Sequence, residues 1–182
     1  MSDYQYPPLS PGSDSIRLLR LMPDKDEKAP IQCELFEYSL QESRNETHLY
    51  EALSYVWGSP ETPESISIDK HNLPVTANLH AALSRLRDCS FERIIWADFV
   101  CINQEDKKDE KERQIQSMAK IYGKANRVIV YLGEGTRASN QALENIRVAA
   151  EDESTNPSIS EKSRKAILKL LERPWFQRIW VS

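Results

Sequence analysis

The spacing of apolar residues along the chain predicts alternating strands and helices. Short apolar or alternating runs bounded by Pro, Gly and polar turns are typical of β-strands. Such runs occur at residues 16–21, 31–40, 50–57, 93–98 and 126–132. Residues 65–68 and 73–75 also alternate, and the polar turn between them predicts a small β-hairpin.

Apolar residues at helical spacing predict four helices. The predicted helices cover residues 77–88, 109–122, 139–150 and 160–171. Thr76 and Ser160 stand where N-cap residues belong, because their hydroxyl oxygens can accept a bond from the first helical turn. Gly123 is a stop signal for the second helix.

The order of these elements predicts an α/β fold. Strands that alternate with helices imply right-handed crossovers and a mainly parallel sheet flanked by helices, as in TIR and flavodoxin-like folds. N-terminal β-strands and a β-hairpin insertion would be added at the outside of this core. Residues 1–14 are rich in Pro, Ser, Gly and Asp, which predicts a flexible lead-in, so we expect one domain over residues 15–182.

The composition of the chain limits the classes of binding partner and the cellular compartments that we expect for it. Lys and Arg total 24 against 28 for Asp and Glu, and this net charge of -4 disfavours binding to nucleic acid or anionic lipid. No apolar run approaches the roughly 20 residues that cross a bilayer, and the N-terminus has no secretion signal. The three cysteines fit neither a disulfide framework nor a zinc site, which predicts a reducing compartment, the cytosol or the nucleus, and no metal. Of the two, we expect a cytoplasmic location.

Polar residues after the predicted strand 93–98 form the first candidate site. Asp98 ends this strand, and Cys101, Asn103 and Gln104 follow it. Ligand crevices form at the carboxyl ends of parallel strands, so these residues are candidates for a ligand-facing loop. The alternative is that Asp98 caps the next helix and the two amides satisfy backbone groups of the loop. For Cys101, burial as a small apolar residue is preferred to a role as nucleophile.

The end of strand 50–57 provides a second set of candidates. Tyr55 and Trp57 could form the aromatic wall of a nucleotide pocket, and Gly58 would let the backbone approach a phosphate. Alternatively, Trp57 only covers the sheet edge. We expect this turn and the Asp98 loop to share one rim. Glu112 is a further candidate carboxylate, although a solvated helix position is the preferred interpretation.

Three blocks of sequence resemble the HET domain of fungal heterokaryon incompatibility. They are YEALSYVWG at 50–58, IWADFVCINQ at 95–104 and RPWFQRIWV at 173–181. Shorter segments agree in order and spacing, namely LPVT at 73–76 and RVIVYLG at 127–133. The resemblance covers residues 16–181.

This resemblance implies a role in self/non-self recognition and regulated cell death. HET domains are also considered remote relatives of TIR domains, some of which hydrolyse NAD with a helix glutamate. A carboxylate can stabilise the oxocarbenium-like state of that reaction without a metal or cofactor, so NAD would be the substrate. The third family block normally continues into Gln-Glu, whereas Trp180-Val181 is followed here by Ser182. Relative to the family, the domain is thus expected to be incomplete at its C-terminus: either it is a truncated product or fragment, or it is a HET-type module that has lost this acid.

Three functions remain open at this point. The first is a signalling module that acts through protein partners or self-association. The second is a TIR-like NAD glycohydrolase in which Asp98 or Glu112 supplies the carboxylate. The third is a non-catalytic decoy or regulator of full-length HET proteins.

Overall fold

A computed structural model describes residues 4–10, 14–41, 49–61, 63–105, 110–151 and 160–178. Within these ranges seven strands form one sheet in the order β5-β4-β2-β1-β6-β3-β7. The strands are β1 Ser15–Leu21, β2 Gln32–Ser39, β3 Glu51–Tyr55, β4 Glu64–Ile68, β5 His71–Val75, β6 Arg93–Trp96 and β7 Arg127–Tyr131.

The sheet is mixed but mainly parallel. Strand β3 is parallel to β6 and β7, and β2 is parallel to β4. Strand β1 is antiparallel to both of its neighbours, and β5 is antiparallel to β4. Five of these strands therefore run in one direction, which confirms the predicted α/β class. The specific likeness to TIR and flavodoxin folds stays a prediction.

Strand β1 lies in the middle of the sheet, between β2 and β6. Its residues are buried on both faces, as Ile16, Leu18 and Leu19 show with exposures of 1% or less. Leu19 is paired with Ile95 of β6. The N-terminal strands thus join the parallel part of the sheet directly, and they do not merely extend its outer edge.

Six helices and one 3₁₀ turn complete the described chain. They are α1 Ala77–Leu86, α2 Asp98–Cys101, α3 Glu110–Gln116, α4 Met118–Lys124, α5 Arg137–Glu151, α6 Glu161–Leu171 and the 3₁₀ turn Pro174–Gln177. Both predicted N-caps are confirmed, because Thr76 accepts from the amide of Leu79 and Ser160 accepts from the amide of Ser163.

The helical region after β6 differs from its prediction in two ways. The single helix predicted over 109–122 is two helices, α3 and α4, and residue 109 itself lies outside the described residues. The Ser117 amide bonds to the carbonyls of both Arg113 and Gln114, and this tightened turn separates the helices. Gly123 was predicted to stop the helix, but α4 extends one residue beyond it, to Lys124.

The chain divides into two compact units, residues 1–131 and 132–182. The first contains the sheet and nearly all of the buried apolar core. The second contains α5 and α6, where Asn145 Nδ2 donates to Ser163 Oγ at 2.9 Å. The expectation of one domain over 15–182 stays a prediction, and the family residues Trp180 and Val181 lie outside the described ranges. No described helix has the length and hydropathy that a membrane span requires.

Residues 4–10 form neither a helix nor a strand, yet they are packed against the first unit. Tyr4 is buried, and its ring meets that of Tyr6 edge to face with centroids 5.1 Å apart. Composition predicted no packed element here, because proline and polar residues dominate the segment. The two aromatic side chains contribute apolar contacts that composition alone did not predict.

Candidate functional site

The ends of two parallel strands bring the main candidates together. Trp57 lies two residues after the end of β3, and Asp98 lies two residues after the end of β6. Because these strands are parallel neighbours, their carboxyl ends share one edge of the sheet. The indole Nε1 of Trp57 donates a hydrogen bond to Asp98 Oδ2 at 2.9 Å. The Trp57 turn and the Asp98 loop therefore form one surface, which we call the rim.

The carboxylate of Asp98 is the centre of the rim. Its side chain is largely buried, and Oδ1 accepts from the amide of Phe99 at 2.8 Å in the first turn of α2. Burial raises the pKa of the Tyr55 hydroxyl, and the neighbouring Asp98 raises it further by charge and by a hydrogen bond. Asp98 therefore fixes the relative positions of three donors, namely the Trp57 indole, the Phe99 amide and the Tyr55 hydroxyl.

Aromatic rings and one glycine fix the shape of the rim. Phe99 meets Trp57 edge to face with centroids 5.2 Å apart, while Trp57 remains 38% exposed. Gly58 has φ +79°, and a Cβ there would lie 3.0 Å from Asn78 Nδ2. That nitrogen donates to the carbonyl of Val56 at 3.1 Å. The turn therefore requires glycine at residue 58, which lets α1 hold it closely.

The two amides of the loop bond to backbone groups. Gln104 Nε2 donates to the carbonyls of Asp98 and Ile102, each at 3.1 Å. Asn103 Oδ1 accepts from the amide of Glu105 at 3.0 Å. Asn103 and Gln104 therefore stabilise the loop on which Asp98 lies, and both side chains remain partly exposed.

Cys101 lies beneath the rim and is fully buried. Its sulfur accepts from the amide of Ala97 at 3.4 Å. Burial raises the pKa of the Cys101 thiol to about 12, and burial also raises that of Cys33 to about 12. Both thiols are therefore protonated at neutral pH, which removes the thiolate needed for nucleophilic chemistry.

We expect one fast-reacting thiol per folded chain. Cys89 is exposed, whereas Cys33 and Cys101 are buried. Cys89 should react quickly with a disulfide reagent because its sulfur is accessible, whereas the two buried thiols should react slowly because burial keeps them protonated and blocks the reagent. All three should react after unfolding in guanidinium. A second fast thiol in the folded protein would contradict this packing.

Glu112 lies on α3 and not on the loop that carries Asp98. Its side chain is exposed, and Gln116 Nε2 contacts it at 3.5 Å. The buried carboxylate of this helix is instead Glu110, which accepts from the amide of Asn103 at 3.3 Å. Sequence reasoning missed Glu110 because it stands in a run of mixed charge. Phe99 was missed as well, although its position directly after Asp98 was a usable signal.

A cavity of about 200 Å³ adjoins the rim. Its walls are mainly apolar and come from the N-terminal segment, the hairpin and the loop after β6. The lining residues are Tyr6, Leu73, Pro74, Phe99, Gln104 and Glu105. Among the residues that the structure describes, no group of three or more His, Cys, Asp or Glu side chains could hold a metal ion.

Replacing Asp98 by Asn should lower the free energy of unfolding by about 2 kcal/mol. An amide places a nitrogen where the carboxylate now accepts, so either the Trp57 indole or the Phe99 amide loses its bond. Equilibrium urea unfolding measures the change. Glu64→Gln, which also removes one charge but at an exposed strand position, is the matched control. Equal stability of the two variants would show that the Asp98 bonds contribute little.

Comparison with known proteins identifies the family of this chain. The model of the family "Heterokaryon incompatibility protein (HET)" matches residues 50–182, which include the rim. The chain is 32% identical over 149 residues to heterokaryon incompatibility protein 6, OR allele, of Neurospora crassa, and the match covers 75% of this chain. It covers 21% of that relative, so the chain spans about a fifth of its length. No solved structure matches the chain. On the family match and this relative, the chain belongs to the heterokaryon incompatibility (HET) family.

Proposed function

We propose that this chain is a signalling module of fungal heterokaryon incompatibility that acts inside the cell through protein association. Membership of the HET family and the name of the Neurospora relative support the role in incompatibility. The observation that favours association over catalysis is the bonding of Asp98 within the rim.

A catalytic carboxylate needs oxygen lone pairs that face the substrate. In this rim the oxygens of Asp98 accept from Trp57 and Phe99. The carboxylate therefore organises the surface around it. Trp57, at 38% exposure, is the large side chain that this arrangement presents to solvent. A partly exposed tryptophan on a rigid support is typical of residues that dominate binding at protein interfaces.

The proposal can be tested by forced association in a living fungus. The chain is fused to an inducible dimerisation domain, and viability is scored with and without the inducer. We expect death on induction, and about a tenfold smaller loss of viability for Trp57→Ala, since interface tryptophans often contribute 2 kcal/mol or more. Phe91→Ala removes an exposed aromatic ring at the opposite end of β6 and is the matched control. Survival of the induced parent chain would contradict the proposal.

NAD hydrolysis is the alternative, and one observation favours it. A cavity of about 200 Å³ is lined by Phe99, the residue that follows Asp98 in the chain and whose amide bonds to its carboxylate. Purified chain would be incubated with NAD, and released nicotinamide measured. If the parent chain releases nicotinamide and Asp98→Asn, Glu112→Gln or both abolish that release, hydrolysis would be favoured over association. Folding of each variant would be checked by urea unfolding.

A further inference from the structure

The N-terminal segment of residues 4–10 contacts strands β1 and β2 through side chains and backbone groups. The Arg17 guanidinium lies over the ring of Tyr6, with its Cζ 5.3 Å from the ring centroid. Arg17 also donates to the carbonyl of Pro7 at 2.5 Å. Further along, Ser10 donates through its amide and hydroxyl to Glu37 at 3.0 and 3.2 Å. We call residues 4–10 the strap.

Beneath the strap lies a buried ion pair. Arg17 donates to both carboxylate oxygens of Glu110, at 2.5 and 2.9 Å, and both side chains are almost completely buried. A buried charge is costly unless its hydrogen-bonding groups have partners. The Pro7 carbonyl provides one of these partners for Arg17, and the Tyr6 ring provides a cation–π contact. The strap therefore stabilises the charged pair.

The other side of the same pair reaches the rim. Glu110 Oε1 accepts from the amide of Asn103 at 3.3 Å. The next residue, Gln104, holds the carbonyls of Asp98 and Ile102. Tyr6 of the strap also lines the cavity of about 200 Å³ together with Phe99 and Gln104. A continuous set of contacts thus joins the strap to the loop that carries Asp98.

We propose that the strap is a conformational control element for the rim, and that the Arg17–Glu110 pair transmits its docking to the Asn103–Gln104 loop. When the strap leaves, Arg17 loses a carbonyl and a ring, Glu110 is held less firmly, and the cavity loses its Tyr6 wall. The family match begins at residue 50, so the strap and Arg17 lie before the matched region while Glu110 lies within it. The strap proposal does not depend on the proposed association.

Amide hydrogen exchange in the full chain tests the proposal. The Asn103 amide donates to Glu110 and reports on the pair directly. We expect Tyr6→Ala to accelerate its exchange by about tenfold, through local opening. The Asn126 amide, which bonds to the carbonyl of Tyr50, should exchange at the parent rate. Gln5→Ala, an exposed strap position, should change neither amide. Equal acceleration at Asn103 and Asn126, or none at Asn103, would overturn the proposal.

A double variant tests whether the ion pair is the connection. Glu110→Gln keeps an acceptor oxygen but removes the charge, and alone it should also accelerate the Asn103 amide. If the strap acts through this pair, adding Tyr6→Ala should then increase the rate less than twofold. Multiplication of the two separate effects would show that the strap acts by another route and would overturn the proposal.

Discussion

Replacing Glu110 by Ala is expected to lower the free energy of unfolding by about 3 kcal/mol. Removing one partner of a buried ion pair leaves the other charge in an apolar surrounding, and Arg17 retains only 2% exposure of its side chain. The Asn103 amide loses its acceptor in the same change. Equilibrium unfolding in urea, followed by circular dichroism, measures the difference as a lower midpoint at an unchanged slope.

Glu112→Ala is the matched control for this prediction. It lies two residues further along α3, removes the same side chain, and is exposed, so its effect should stay within about 0.5 kcal/mol. The double variant Arg17→Met with Glu110→Leu should recover much of the loss, because apolar side chains of similar volume remove both buried charges. A cost for Glu110→Ala no larger than that of Glu112→Ala would mean that the pair contributes nothing to stability.

Local sequence patterns predicted the elements well and their arrangement only in part. Thr76 and Ser160 were identified as caps because one hydroxyl and one amide, three residues apart, decide that geometry. The central place of β1 could not be read from residues 15–21, because an apolar run does not specify its neighbours in a sheet. Its partner strands are β2, the next strand in sequence, and β6, which lies more than 70 residues further along the chain.

In the candidate site, too, some features could be predicted from the sequence and others could not. Trp57 and Asp98 could be assigned to one rim, since the carboxyl ends of neighbouring parallel strands coincide. That the indole donates to this carboxylate depends on side-chain directions, which periodicity does not give. Glu110 was hidden because its partner Arg17 is 93 residues away and its own segment has the composition of a solvated helix start.

Trp96 supports the rim from within the sheet. It is the last residue of β6, two positions before Asp98, and it is fully buried. Its ring meets that of Tyr122 edge to face at 5.4 Å, and the Tyr122 hydroxyl donates to the carbonyl of Leu53 at 3.2 Å. The position of Asp98 therefore depends on the packing of Trp96 between β3 and α4.

Trp96→Ala is expected to lower the free energy of unfolding by about 4 kcal/mol, the cost of a large cavity in a close-packed core. Trp96→Phe should cost at least about 2 kcal/mol less than Trp96→Ala, because the phenyl ring still fills most of the space that the indole occupies. Within the part of the chain that is described, the buried Nε1 of Trp96 has no hydrogen-bond partner, so its removal by Phe sacrifices no bond. Urea unfolding of both variants measures these differences.

The matched control for Trp96 is Phe91→Ala, which removes an aromatic ring that is 62% exposed and should change stability by less than about 0.5 kcal/mol. Amide exchange at Phe99 adds a local readout, because this amide donates to Asp98. In Trp96→Phe its exchange should stay near the parent rate, since the ring still fills the site. If Phe cost as much as Ala, filling the ring site would not restore stability, and the packing argument for the rim would fail.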